Sequence, residues 1–354
     1  MSEISVSDAW FVPYRLKFVS PILTSRGSMQ YKTGFYVFLK HGARIGTGEC
    51  SIIEGLSLES HAEARNELEE LCHWVKKTQR AEEGKCRYAS VQFAWDSAIA
   101  DLKNGGNKIL YPSDFTAGKG KIPINGLIWM GDEEFMARQI QERAGAGFRC
   151  IKMKIGALPF EREVQLLDNF RRNYPPGKTE LRLDANGAFT EKDVWEKLQQ
   201  LAVFDVHSLE QPVPPGQHEL MREICKSSPI PIALDEELIH IAAERAYDVI
   251  DYLKPAYLVI KPSLVGGFKV AEEFVQRAER LRIGWWVTSA LESNIGLNAL
   301  AQWVANRNVS AVQGLGTGLL YTNNVSSPLC VKDGYLLYDC SKEWGDISVT
   351  FDNP

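Results

Sequence analysis

From about residue 120 onward the sequence repeats one pattern: a short apolar run, in five cases with charged residues at or near its end, then an amphipathic segment of helical period. The runs fall at residues 122–125, 150–155, 181–186, 206–211, 230–235, 257–261, 285–289 and 311–314. The segments between them carry helix signals. Thr190 and Asp193 fit a capping box, and Val194, Leu198, Leu201 and Ala202 form one apolar stripe. Eight strands in β/α alternation favour a closed parallel barrel over an open sheet. The last run is followed by GLGTGLLYTNN and no strong helix, so the expected architecture is a (β/α)7β modified TIM barrel over residues 116–325.

The chain's 354 residues exceed what one core usually supports, so a second domain is expected. From Ser5 to about Ile52 the apolar residues alternate or cluster in short runs broken by Gly and Pro, which reads as antiparallel hairpins. Residues 57–104 switch to helical spacing. An α+β capping domain over residues 1–115 follows, with lid loops, joined to the barrel through YPSDFTAGKGK. The short β-like pieces of residues 326–354 are expected to return to the cap.

Strand parity places the charges. In CIKMKIG, Ile151, Met153 and Ile155 share one face and Lys152 and Lys154 the other. The apolar face belongs against the helices, so both amines point into the barrel, where an unpaired ammonium is costly. In LRLDAN the same parity leaves Arg182, Asp184 and Asn186 inside. Glu210, Asp235 and Lys261 end the next strands, at spacings of 26, 25 and 26 residues from Asp184 onward. Barrel sites lie at the C-terminal ends of strands, so these groups converge although they are far apart in sequence. Asp184, Glu210 and Asp235 would repel one another there. A hard cation resolves this, and an oxygen-only shell suits Mg²⁺ or Mn²⁺ far better than Zn²⁺.

Such a set suits removal of a proton next to a carboxylate, which puts a second negative charge on that group; a bound cation stabilises it where it develops. Lys154 is the expected base, with Lys152 as an electrostatic neighbour that depresses its pKa, and Lys261 on the opposite face.

Other classes are excluded or unsupported. A formal charge of −5 and the lack of long basic runs give no footprint for nucleic acid. No run of about 18 apolar residues and no signal-peptide core occur, and the seven cysteines form no CxxC, so a cytoplasmic protein with reduced thiols is expected. Oligomeric state is not legible.

The sequence resembles the enolase superfamily, in the muconate-lactonising-enzyme subgroup whose second barrel strand carries KxK and whose sixth carries a lysine. The likeness runs through TSRG and GECS in the cap and KMKIG, LRLDANGAF, SLEQPV, IALDEELI, VIKPSLVGGF, SALESNIGLNALAQWVA and GLGTGLL in the barrel. The phrases IKPSLVGGF, SALESNIGLNALAQ and GLGTG resemble the o-succinylbenzoate synthase family in particular. That resemblance implies a lyase of menaquinone biosynthesis that dehydrates 2-succinyl-6-hydroxy-2,4-cyclohexadiene-1-carboxylate to 2-succinylbenzoate. Lys154 would take the proton and return it to the departing hydroxyl, Lys261 would face the other side as a cation, and Asp184, Glu210 and Asp235 would hold Mg²⁺. It also implies substrate contacts from Thr24, Arg26, Asn186, Ser289 and Gly314, with Arg26, Ser289 and the backbone near Gly314 at the succinyl end.

N-succinylamino acid racemases, dipeptide epimerases and muconate cycloisomerases share the same charged pattern, so a racemase or cycloisomerase on this site is the alternative. An epimerase is disfavoured because Gly314, Leu315 and Gly316 stand where a DxD motif is typical. A non-catalytic ligand-binding barrel is the alternative of another class; the intact lysines and carboxylates argue against it.

Overall fold

The computed structural model describes residues 3–24, 27–84, 86–239, 243–307 and 309–351. Its first part is a three-stranded antiparallel sheet of Asp8–Thr24, Gly27–His41 and Arg44–Ser51, with the Gly27–His41 strand in the middle. Two helices cover one face. His61–Thr78 starts with a full capping box between Ser60 and Glu63 and buries Ala64, Leu68, Cys72 and Val75, a stripe of helical spacing. Ala89–Lys103 is buried along most of its length and lies against the strand Arg44–Ser51. Gly46 and Gly48 permit that approach, because a Cβ at either position would collide with the carbonyl oxygen of Ala98 or Ala94.

The barrel follows. Seven parallel strands, Gly126–Ile128, Cys150–Lys154, Glu180–Asp184, Ser208–Glu210, Ile232–Leu234, Tyr257–Ile260 and Gly284–Val287, pair in sequence order. The eighth position shrinks to two residues: Gln313 bridges Ile124 and Gly314 bridges Thr288, both in parallel. Main-chain bonds from Gln313 to Pro123 (2.8 Å) and from Gly314 to Val287 (2.7 Å) close the ring. Only a 3-10 turn, Thr317–Leu319, comes next, in line with the weak helix signal there. The chain therefore has the modified TIM barrel that the β/α repeat predicts.

Two expected elements are corrected. The run at residues 122–125 is only in part the first barrel strand: Lys121–Pro123 pairs antiparallel with Tyr335–Tyr338, whereas Ile124 bridges Gln313 and Gly126–Ile128 pairs with the next barrel strand. Pro123 has no N–H to give a second ladder, and its carbonyl serves Gln313 instead. The tail divides. The hairpin Leu329–Lys332 and Tyr335–Tyr338 extends the Lys121–Pro123 strand beside the barrel, and only the last described residues reach the cap, where Phe351 bridges Tyr14 and the Thr350 hydroxyl donates to Tyr36.

The barrel's outer layer is its core. Ile151, Met153, Ile155, Leu181, Leu183 and Ala185 pack with Leu167, Phe170, Leu198 and Leu201 of the helices. Each such side chain, fully buried, contributes roughly 1.5–3 kcal/mol, which fixes the strand parity and so turns the alternate, charged residues inward. A second cluster fastens the cap onto the barrel, joining Tyr14, Leu16 and Phe38 to Ile239, Leu264, Leu291 and Ile295.

Candidate active site

Register brings the charges together. Lys154 stands opposite Asp184 on the neighbouring strand, and Asp184 stands opposite Glu210 on the next. Asp235 and Lys261 directly follow the fifth and sixth strands, Ile232–Leu234 and Tyr257–Ile260. Exposure is 6% for Lys152, 1% for Asp184, 2% for Glu210, 1% for Asp235 and 9% for Lys261, so this is a charged interior.

Amines alternate with acids. The Lys152 ammonium donates to both oxygens of Glu210 at 2.7 Å and pairs with Asp184 Oδ2 at 2.9 Å. Lys154 donates to Asp184 Oδ2 at 2.9 Å and Asn186 Oδ1 at 2.7 Å, and Lys261 donates to Asp235 Oδ2. Asn186, in the left-handed region at φ 43°, passes the network on by donating to Glu236 at 2.9 Å. Lys152, Lys154, Asp184 and Glu210 thus lie in one bonded network with Asn186 and Glu236, beside the separate Lys261–Asp235 pair.

Burial pulls the Lys152 amine down, but Asp184, Glu210 and Asp235 outweigh it and hold the amine above its ordinary value. Lys261 is likewise raised, with Asp235 and Glu236 overcoming burial. Asp184 is raised by burial yet held well below the carboxylate range by Lys152 and Lys154, whereas burial and then Asp184 push Glu210 up. Lys152 and Lys261 thus answer mainly to the acids, not to each other.

Among the described residues no three His, Cys, Asp or Glu side chains form a ready-made metal site; lysines separate the acids. The donor chemistry nonetheless fits a hard cation. All candidate ligands are carboxylate oxygens, and two buried ones, Asp235 Oδ1 and Glu236 Oε2, have no hydrogen-bond partner. Burying a carboxylate oxygen without a partner is expensive, so these atoms point to a charge the side chains alone do not provide.

Above the network lies a cavity of about 470 Å³ between barrel and cap. Lys152, Lys154, Asp184 and Lys261 line its floor, and Lys32, Thr33, Ile53 and Leu56 of the cap line its roof. Of the remaining expected contacts, Asn186, Ser289 and Gly314 line it. The Ser289 hydroxyl is committed to Glu292 at 2.5 Å and the Gly314 carbonyl accepts from Ser289 N–H and the Thr288 hydroxyl at 3.1 Å. Arg26 lies outside the described residues, and of Thr24 only the backbone is described, paired with Gly27.

Three lining residues escaped the sequence reading. Glu236 reads there as a helix-starting acid, in the run DEE. Trp129, at the end of the first barrel strand, presents its ring 5.8 Å from the Lys154 ammonium; an aromatic at a strand end was the available signal. Lys32 was visible as a cation entering a mostly apolar strand.

Residues 8–102 match the family model for the N-terminal domain of MenC, and residues 135–339 match the model described as enolase C-terminal domain-like. The chain is 40% identical to an o-succinylbenzoate synthase of Desulfotalea psychrophila, over 91% of this chain and 96% of that one. It is 25% identical to the o-succinylbenzoate synthase of Aliivibrio salmonicida, over 89% and 91%. Among solved structures, MenC from Desulfotalea psychrophila superimposes with a TM-score of 0.83 at 36% identity, covering 94% of this chain and 100% of that one. An L-Ala-D/L-Glu epimerase from Bacillus subtilis shares the fold, with a TM-score of 0.81 at 15% identity over 98% and 99%.

Proposed function

The chain belongs to the o-succinylbenzoate synthase family of the enolase superfamily, and from that premise we propose how its residues carry out the reaction. The enzyme is a lyase that binds a small carboxylate substrate and eliminates water from 2-succinyl-6-hydroxy-2,4-cyclohexadiene-1-carboxylate, giving 2-succinylbenzoate for menaquinone synthesis. One observation carries the assignment of roles: two lysines of one strand and a third four strands on line the floor of one cavity with Asp184, and each amine bonds to a buried acid, Asp184, Glu210 or Asp235.

Asp184, Glu210 and Asp235 would hold Mg²⁺, with Mn²⁺ able to replace it, and the cation supplies Lewis-acid stabilisation of the charge that develops on the substrate carboxylate. Lys154, as the free amine, takes the proton α to that carboxylate. The C–H electron pair becomes the new C=C bond, the C–O bond breaks, and the Lys154 ammonium gives its proton to the leaving hydroxyl, which departs as water. Both transfers occur on one face, so the elimination is syn. Lys261, from the far side of the barrel mouth, offers a cation to the opposite face. Lys152 ties Glu210 to Asp184 and so positions the acids. Lys152, Asp184, Glu210, Asp235 and Lys261 are buried, where charge interactions are stronger than in water. Free thiols at all seven cysteines fit the reducing cytoplasm in which we place the enzyme.

The test is an assay of purified protein with Mg²⁺ and the diene substrate, following the aromatic product by ultraviolet absorbance beside a panel of N-succinyl amino acids. Lys154→Ala should lose both turnover and exchange of the α-proton with solvent deuterium, by at least 10²–10⁴-fold, the usual worth of a general base. Full activity in that variant would remove Lys154 from the mechanism. Racemisation of the amino acids without diene turnover would move the substrate assignment to the racemase reading.

A further inference from the structure

Lys32 stands out from every other amine in the molecule's interior. It sits where the strand Gly27–His41 turns from exposed to buried, and it is 1% exposed. A buried ammonium is normally tied to a carboxylate, because desolvating it otherwise costs several kcal/mol. Lys152, Lys154 and Lys261 obey that rule. Among the described residues Lys32 makes no ion pair: its ammonium donates to the main-chain carbonyls of Ile52 and, at 3.3 Å, Thr33. An ammonium has three protons to give, so one remains.

Nearby acids do not bond to it: Glu54, exposed on the same roof, lies 3.7 Å from His61. Glu49 spends its oxygens on the Tyr14 hydroxyl, the Ser293 hydroxyl and the N–H groups of Ser293 and Gly296. Glu292 accepts from Ser263, Ser289 and the N–H of Ala290. Burial accordingly lowers the Lys32 amine to about 8, against the opposing pull of Glu49 and Glu292. Lys32 also lines the cavity, from the cap side, across from Lys154 and Lys261. The one other basic group of the roof among the described residues, His61, bonds to Thr33 at 2.9 Å and is kept toward its neutral form by burial.

The dehydration substrate carries two carboxylates, one on the ring and one at the end of the succinyl chain. The ring carboxylate belongs at the floor, next to the carbon that loses its proton. We propose that Lys32 receives the distal carboxylate, as the fixed counter-charge at the roof of the cavity. This rests on the dehydratase reading for its substrate, and it makes Lys32 a specificity-determining residue that touches substrate away from the reacting bonds. Selection follows from it: a monoacid of similar shape leaves the buried ammonium unanswered, whereas a diacid neutralises it.

The experiment compares binding of 2-succinylbenzoate with that of its distal amide, in which the succinyl carboxylate is a carboxamide, by titration calorimetry on the Mg²⁺-loaded protein. Wild type should prefer the diacid by at least about 30-fold, equivalent to about 2 kcal/mol. Lys32→Met should lose that preference through weaker diacid binding, bind the amide within about threefold of wild type, and melt no lower than wild type, since it removes a buried charge. Its turnover should fall chiefly through KM, and Lys32→Arg should restore most of the preference. Equal affinity of wild type for diacid and amide would overturn the proposal, and needs no variant to fold. So would an unchanged preference in Lys32→Met, or a melting point lowered with both ligands weakened alike, which is the mark of a structural lysine. Wild type that does not convert the diene at all would instead sink the dehydratase reading itself.

Discussion

Glu49 is fully buried where the cap meets the barrel, and its two oxygens are saturated. Oε1 accepts from the Tyr14 hydroxyl and the Ser293 N–H, both at 2.8 Å; Oε2 accepts from the Ser293 hydroxyl at 2.5 Å and the Gly296 N–H at 2.8 Å. Tyr14 belongs to the capping sheet, while Ser293 caps the barrel helix Asn294–Ala305. In Glu49→Gln one oxygen becomes an NH₂ group that faces donors. The hydroxyls can rotate to accept, but a backbone N–H cannot, so either Ser293 or Gly296 loses its acceptor whichever way the amide sits. A buried donor left unsatisfied costs roughly 1–3 kcal/mol, and the surviving bonds lose their charge assistance, against which relief from burying an anion must be set. A net loss of about 2–3 kcal/mol is expected. At about 2.1 cal/mol/K per residue, the 354-residue chain unfolds with an entropy near 0.74 kcal/mol/K, so the melting point should fall by roughly 3–4 °C. Amide exchange at Ser293 and Gly296 should accelerate by about 30- to 150-fold, the same energy read locally. A melting point within about 1 °C of wild type, with exchange at both amides unchanged, would show that the bonds to this carboxylate do not hold cap to barrel.

Two further outcomes follow from the same structure. Burial raises the Asp96 carboxyl to about 6, above its unfolded value of about 3.9. Protonation therefore favours the fold: the stability linked to this group is fully present below pH 4 and lost as pH rises through 6. Asp96→Asn should melt above wild type at pH 7.5, and the gap should close between about pH 6 and 4; a gap that stays constant over that window refutes the linkage. Titrating Mg²⁺ to about a hundred times its dissociation constant should stabilise the protein by about 2.7 kcal/mol, or roughly 3–4 °C by scanning calorimetry. Asp235→Asn should lose most of that shift, and an undiminished shift would place the cation elsewhere.

Much of the barrel was legible because its rules are local. Period-2 alternation in CIKMKIG and LRLDAN, repeated at a constant β/α interval, is enough to point Lys152, Lys154 and Asp184 inward and to carry Glu210, Asp235 and Lys261 to the same mouth. What escaped depends on partners far away in sequence. How much of residues 122–125 enters the barrel is decided by Tyr335–Tyr338 capturing Lys121–Pro123, more than 200 residues later. The interior electrostatics turn on how many acids reach each amine, which spacing does not reveal. Lys32 and Glu49 gain their meaning only when the cap is laid on the barrel.

The cavity's floor and roof come from different parts of the chain, and this separates two kinds of heritable change. The floor groups are held by strand register and by one another, so substitutions at Thr33, Ile53 or Leu56 can reshape the roof without disturbing them. A lineage with this layout can drift from one acid to another while its proton chemistry stays intact, and new selectivity is best sought by randomising the hairpin and loop of the cap.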